Sequence, residues 1–363
     1  MSFHLEHAEV KKERDSNLEL YRIIVMFLIV CHHYVVNSGL LPLMSQNPLE
    51  TKSLFLYIWG MWGKIGINCF VMITGFFMCK SNISLRKFLK LVLQVELYNI
   101  VIYSIFIVSG HTSFSITQFI RTILPVTNIA NNFTGCYLIF FLCIPFLNIL
   151  IQNMDKNLHL ACIGLGLFIY SILGHVFYVE MNYVSWFCVL YLIASFIRLY
   201  PTYREDSCSF WGLMTIISVI MAILSIFVML YVFPNRYYFF ISDSNKMLAL
   251  IVAVCSFMFF KNLNIKRSQF INNIAACTFG IFLIHTCGDS MREWLWKDLF
   301  NNISWYNSDF IYVHAIIIPI LIFLCGVLIE RVRIRFIEPL LLSFFMAFSI
   351  SLIAHNKNLV LKK

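Results

Sequence analysis

RIIVMFLIVCHHY, residues 22–34, decides how the rest of the chain is read. Between its arginine and its paired histidines, every residue except Cys31 is apolar. Carried back to Leu18 and on to Val36, the run is long enough to cross a hydrocarbon core about 30 Å thick. An arginine and two imidazoles are costly in lipid, so such a helix needs a protein interior or a watery cavity to face. The question the stretch raises is what Arg22, His32 and His33 are turned towards.

The composition extends that reading to the whole chain. Of 363 residues, 60% are hydrophobic and 12% charged, where a soluble domain carries about a quarter charged residues. Apolar runs of membrane length recur at 18–36, 54–79, 88–109, 133–151, 158–178, 183–200, 211–233, 246–260, 270–287 and 310–330. The fold expected is an all-α polytopic membrane protein with about ten transmembrane helices. Residues 337–354 read either as an eleventh span or as a helix along the inner surface. The chain divides into a polar N-terminal segment (1–17), a membrane domain (18–335) and a C-terminal helix with a basic tail (336–363). The first apolar run is too long for a cleavable signal peptide, and HHY is no cleavage site.

The net charge of +9 suggests a nucleic-acid partner until the cations are placed along the chain. With the N-terminus inside and ten spans, 19 of the 27 Lys and Arg fall in inside segments and 6 in outside ones; Arg22 and Lys64 lie within spans. That asymmetry is the positive-inside bias, so the charge calls for no nucleic acid and favours both termini in the cytoplasm. The twelve cysteines stand singly in apolar runs, without CxxC pairs or metal-ligand spacing, and read as small packing residues. FIRTILPVT in the 110–132 loop reads as a short re-entrant or interfacial helix. MREWLWKDLF (291–300) reads as an outer-face interfacial helix with Trp294 and Trp296 at headgroup level.

The polar residues inside the spans are the candidates for chemistry. Arg22 and His33 are eleven positions apart, which on a helix is about 20° past three full turns and roughly 16 Å of rise. They share a face, with Arg22 near the inner boundary and His33 near the outer one. His32 is turned about 80° from the Arg22 face. His33 is either an interfacial histidine bonded to a neighbouring helix or a functional one. Lys64 lies deep in WGMWGKIGINCFVMITGFFM, where glycines 60, 63, 66 and 75 allow close helix approach. It is either snorkelling, structurally paired or functional. Arg86, Lys87 and Lys90 open the next span, as a positive-inside signal or as a phosphate clamp at a helix N-terminus. Glu96, two turns deeper, is the nearest intramembrane acid to pair with them. His285 ends NNIAACTFGIFLIHTCGDS at a depth similar to that of His33.

Together these pieces resemble the integral-membrane acyltransferase-3 family. NLELYRIIVMFLIVCHHY looks like its first-helix signature, with Glu19, Arg22 and His33 in the signature positions. GKIGINCFVMITGFFM is similar to its glycine-rich second helix, and SLRKFLKLVLQ to the basic stretch that follows, with Lys87 and Lys90 where the family often has a denser arginine run. TGCYLIFFLCIPFLN resembles its aromatic-Leu…Pro span without the usual Trp, and TFGIFLIH its Tyr-Leu-Ile-His signature with Phe282 for Tyr. The resemblance covers roughly residues 16–335.

The resemblance implies transfer of an acyl group, most often acetyl, from cytoplasmic acetyl-CoA or another acyl-CoA to a hydroxyl of a surface polysaccharide or lipid-linked glycan. It implies an enzyme of the cell membrane without a permanently bound cofactor or metal; the 36 Phe residues and the Lys-rich tail fit a bacterial membrane. Arg22, Arg86, Lys87 and Lys90 are then expected to hold the CoA phosphates. His33 is the general base, with Arg22 and His285 beside it in catalysis. His32, Lys64, Glu96 and His285 are expected on the acceptor side. Direct transfer and a covalent acyl-histidine relay both fit. The competing reading is a polytopic glycan flippase or polymerase-like protein without acyl chemistry, distinguished by whether it binds CoA.

Overall fold

The computed structural model describes residues 15–81, 83–124, 132–177, 179–201 and 207–344. They fold into α1 (Ser16–Val36), α2 (Leu40–Gln46), α3 (Thr51–Trp59), α4 (Trp62–Met78), α5 (Leu85–Val108), α6 (Ile116–Ile123), α7 (Phe133–Gln152) and α8 (Lys156–Leu167). There follow α9 (Gly174–Val176), α10 (Tyr183–Leu199), α11 (Cys208–Val232), α12 (Met247–Asn262), α13 (Gln269–Ala275), α14 (Thr278–Thr286), α15 (Gly288–Glu293), α16 (Asn302–Trp305) and α17 (Ile311–Val332). No strand occurs among the described residues. The apolar runs become helices because a backbone in lipid must satisfy its own hydrogen bonds. Polar residues mark where several begin: Ser84, Ser115, Asn132, Asp155, Asn182, Ser207 and Ser268 each accept from a first-turn N–H.

Among the described residues, seven helices are long and apolar enough to cross a membrane, or eight if the bent pair Gln269–Thr286 and Gly288–Trp305 is one span. Two more apolar helices, Tyr183–Leu199 and Met247–Asn262, are shorter. Each of the ten apolar runs read from the sequence is largely helical. Residues 337–344 prolong the last helix, which runs continuously over Ile311–Phe344, and begin no separate element. The rest of the 337–354 stretch, the basic tail and the first fourteen residues lie outside the described residues.

α1 is the hub, packed against α4, α12, α13, α14 and α17. Val30, Cys31, Tyr34 and Val35 are fully buried on it. α4 crosses α1 closely because Gly63 and Gly66 leave room for His32 and Ile29; a Cβ at Gly66 would lie 2.6 Å from Ile29 Cγ1. Peripheral α11 and α17 instead show Leu213, Leu224, Val228, Ile317, Leu324 and Leu328 outward, as helices facing hydrocarbon do.

The contacts fix how helices run relative to one another. Asn17 Nδ2 donates to Lys261 O at the end of α12 (2.9 Å), and Ser16 Oγ to Asn272 Oδ1 in α13 (3.0 Å). At the opposite end of α1, His33 meets His285 at the end of α14. α1 and α14 therefore run parallel, with α12 antiparallel to them. Beyond Thr286 the chain turns sharply at Gly288, whose φ of +70° suits glycine. The 291–300 segment departs from the interfacial reading. Trp296 is fully buried, edge-on to Tyr34 at 6.0 Å, while Lys297 and Asp298 face outward. Its π-helical winding turns Leu295 and Trp296 inward together.

Candidate active site

A cavity of about 1110 Å³ opens beside the C-terminal half of α1. Met26, Ile29, His32 and His33 border it. Arg22, one turn below Met26, does not. Arg22 Nη1 instead donates to Glu19 Oε2 at 2.8 Å, and Glu19 is buried. This pair is the acidic-basic couple of the first-helix signature, closed on itself at i, i+3. Aromatic side chains gather at the cavity wall. Phe70 and Phe279 border the cavity, and the Tyr137 ring packs on both, at 6.1 and 5.6 Å.

His33 and His285, far apart in sequence, touch. His33 Nδ1 lies 2.9 Å from His285 Nε2, and His285 Nδ1 lies 2.6 Å from Ile281 O. The roles follow from what each atom can do. A carbonyl oxygen only accepts, so His285 Nδ1 carries the proton and donates to Ile281 O. In the neutral imidazole, His285 Nε2 is then an acceptor, and His33 Nδ1–H donates to it. The lone pair of a neutral His33 is left on Nε2. His33 borders the cavity, whereas His285 is wholly buried and does not. His285 therefore sits behind His33 and not on the cavity wall, whereas the sequence reading put it on the acceptor side.

The adjacent His32 does something different. Its Nδ1 hydrogen-bonds Gly60 O, and its ring occupies the place a side chain at Gly63 would take. His32 thus fastens α1 to α4, with an edge on the cavity. Lys64, the next residue of α4, borders the same cavity in a triad that the sequence reading missed. Lys64 Nζ donates to Tyr183 Oη and lies 3.3 Å from Asp243 Oδ1; Tyr183 Oη donates to Asp243 Oδ1 at 3.0 Å. The available signal was Asp243 itself, an acid in the loop before α12. Arg292, paired with Asp289, also borders the cavity.

The remaining predicted residues lie elsewhere. Arg86, Lys87, Lys90 and Glu96 do not border this cavity. Arg86 and Lys87 are in the first turn of α5, Arg86 exposed and Lys87 half-buried. Lys90 Nζ, expected at the donor phosphates, is bound to Glu338 Oε1 at 2.6 Å. Glu338 continues into a buried network. Arg333 Nη1 lies 3.0 Å from Glu338 Oε2 and reaches Glu330 through Nε (2.9 Å) and Nη2 (2.8 Å). Glu330, fully buried, also accepts from Gln94 Nε2 (2.6 Å) and Tyr98 Oη. Glu96 pairs with none of the three basic residues; its Oε2 is buried without a hydrogen-bond partner.

The family model described as an acyltransferase domain, Acyl_transf_3, matches residues 15–330. No curated protein and no solved structure matches the chain.

Proposed function

The chain belongs to the acyltransferase-3 family, and from that premise we propose that it moves a short acyl group, acetyl in the first instance, from a cytoplasmic acyl-CoA to a hydroxyl of a surface polysaccharide or lipid-linked glycan. One observation carries the reading. The relay from His33 Nδ1 through His285 to Ile281 O commits one nitrogen of His33 and leaves the other, Nε2, as a base at the cavity wall.

The chemistry follows from that arrangement. The acceptor hydroxyl comes to His33 Nε2 and loses its proton to it while its oxygen attacks the thioester carbonyl carbon. A C–O bond forms, the C–S bond breaks, and CoA leaves as a thiolate. The imidazolium formed on His33 then returns the proton to that thiolate. His285 keeps the ring in the reactive tautomer throughout, the part a third group plays behind any base-activated nucleophile. Lys64, Tyr183, Asp243 and Arg292 supply hydrogen-bonding groups to the acceptor from the cavity wall. Arg22, Arg86 and Lys87 are assigned to the phosphates of the donor.

We read the chain as crossing a bacterial cell membrane ten times, with both termini in the cytoplasm. The seven long apolar helices, the bent pair and the two shorter helices support the count. The 19 to 6 distribution of cations supports the direction.

The test is His33→Ala in membranes, read by radiolabelled acyl transfer or by the mass of the native glycan. Acyl transfer should fall about 10²–10⁴-fold, with abundance and CoA binding retained. Full activity in His33→Ala, or an equal fall in well-folded His32→Ala, would overturn the assignment. Absence of CoA binding by the wild-type protein would favour a flippase or polymerase-like role.

A further inference from the structure

The cavity wall around His33 is not chemically uniform. His32 lies on one side of His33, their rings 5.2 Å apart, followed by the Lys64–Tyr183–Asp243 triad. On another side the His33 ring meets an apolar one, Phe282, at 6.3 Å. Phe282 also lies 6.0 Å from His285, so it packs on both members of the relay. Behind it stands Phe133, edge-on at 5.0 Å, and both phenylalanines border the cavity. Phe133 is braced in turn by Phe187, which is fully buried, at 5.6 Å. The wall is three aromatic rings deep.

Two helices hold the wall in place. Phe282 and His285 are three residues apart on α14, so the ring and the imidazole occupy neighbouring positions on one helix. Phe133 is the first residue of α7, fixed by the Asn132 cap that accepts from Thr134 N at 3.0 Å. Such a wall yields little, because interiors are close-packed and extra methylenes force side chains off their rotamers.

This inference rests on the reading of His33 as the base. For a hydroxyl held at His33 Nε2 to react, the thioester carbonyl carbon must come within about 3–3.5 Å of its oxygen. The carbon chain of the acyl group then lies within a few ångströms of the His33 ring, whichever way the donor enters. The acceptor's remaining hydroxyls need partners and take the side of the triad. The hydrocarbon chain needs none and takes the side of the phenylalanines.

We propose that Phe282, backed by Phe133, is the acyl-size stop of the enzyme. The group transferred packs its carbon chain against Phe282, and the depth of the aromatic wall limits it to a short chain. Phe282 is a specificity-determining residue, and a single methylene against such a wall is worth about 10–200-fold in kcat/KM.

The experiment compares acetyl-, propionyl-, butyryl- and hexanoyl-CoA as donors to the native acceptor, in membranes carrying wild-type protein, Phe282→Ala or Phe133→Ala. The wild type should favour acetyl over butyryl by at least tenfold. Phe282→Ala should raise the butyryl-to-acetyl ratio of kcat/KM by tenfold or more and leave the acceptor KM in place. Phe133→Ala should shift the same ratio in the same direction, since Phe133 borders the cavity and also packs on Phe282. If Phe282→Ala fails to accumulate, Phe282→Leu is read in its place, with a smaller shift of the same sign. An unchanged ratio in the variants, or a wild type indifferent to chain length, would overturn the size stop while leaving the transferase reading intact. A wild type that uses none of the donors would overturn the transferase reading instead.

Discussion

His285→Ala separates a positioning role from substrate contact. The side chain has zero exposure, accepts from His33 Nδ1–H at 2.9 Å and donates to Ile281 O at 2.6 Å. Truncation leaves the His33 Nδ1–H without its partner, and a buried donor left unpaired costs about 1–3 kcal/mol. It also removes what holds the proton on Nδ1, so part of the population carries it on Nε2 and cannot act as base. If the full cost falls on the transition state, kcat drops about 5- to 150-fold, at 1.36 kcal/mol per tenfold. The acceptor KM should hold steady, because His285 does not border the cavity. His285→Gln, which can offer an amide oxygen to His33, should recover part of the loss. The assay is initial-rate acyl transfer in membranes at varied acceptor, each variant normalised for abundance. A raised acceptor KM at unchanged kcat would refute the reasoning, since it would mean that His285 touches the acceptor.

Three further outcomes are expected. Cysteines placed at Ser45, Arg121 and Asp298, all exposed, should react with an impermeant reagent from outside the cell; reaction only from the cytoplasm would reverse the orientation. Arg86→Ala should raise the KM for acyl-CoA with little change in kcat, and Arg86→Lys should be partly tolerated because lysine lacks the planar fork; unchanged CoA affinity when Arg22, Arg86 and Lys87 are all alanine would end the clamp assignment. Glu330→Ala leaves buried Arg333 with Glu338 alone, so thermal unfolding in detergent should show a loss near the low end of the roughly 3–5 kcal/mol typical of a broken buried pair; a melting temperature equal to wild type would contradict the network's role.

The helices were legible because hydropathy acts locally. The run 133–151 became Phe133–Gln152 and 211–233 became Cys208–Val232, each within a few residues. The breaks were harder. Residues 54–79 read as one span and form one, Thr51–Met78, but hydropathy does not show the local turn at Gly60 and Met61 between α3 and α4. The 95° bend after Thr286 depends on the positive φ of Gly288, which a hydropathy window does not register, although the Gly-Asp pair marks a turn. Trp296 was misread for a related reason. Alternating charge and aromatic residues fit an interfacial helix, but the winding of Trp294–Leu299 decides which ring faces in.

The site was legible only along single helices. Spacing put Arg22 and His33 on one face of α1, and depth put His285 level with His33; that the two imidazoles touch across 252 positions is a fact of packing. The same limit explains the Glu330 network. Read along the chain, Arg331, Arg333 and Arg335 are a positive-inside cluster, and Glu330 is the polar end of an apolar run. Gln94 and Tyr98, which complete the carboxylate's shell, come from α5 more than 230 positions earlier. A third partner is a glycine: a Cβ at Gly280 would collide with the Glu330 carboxylate. Gly280 stands on α14 five residues before His285. The buried ion network and the His33–His285 pair therefore meet on one short helix, with the Glu330 carboxylate packed against it five residues before His285.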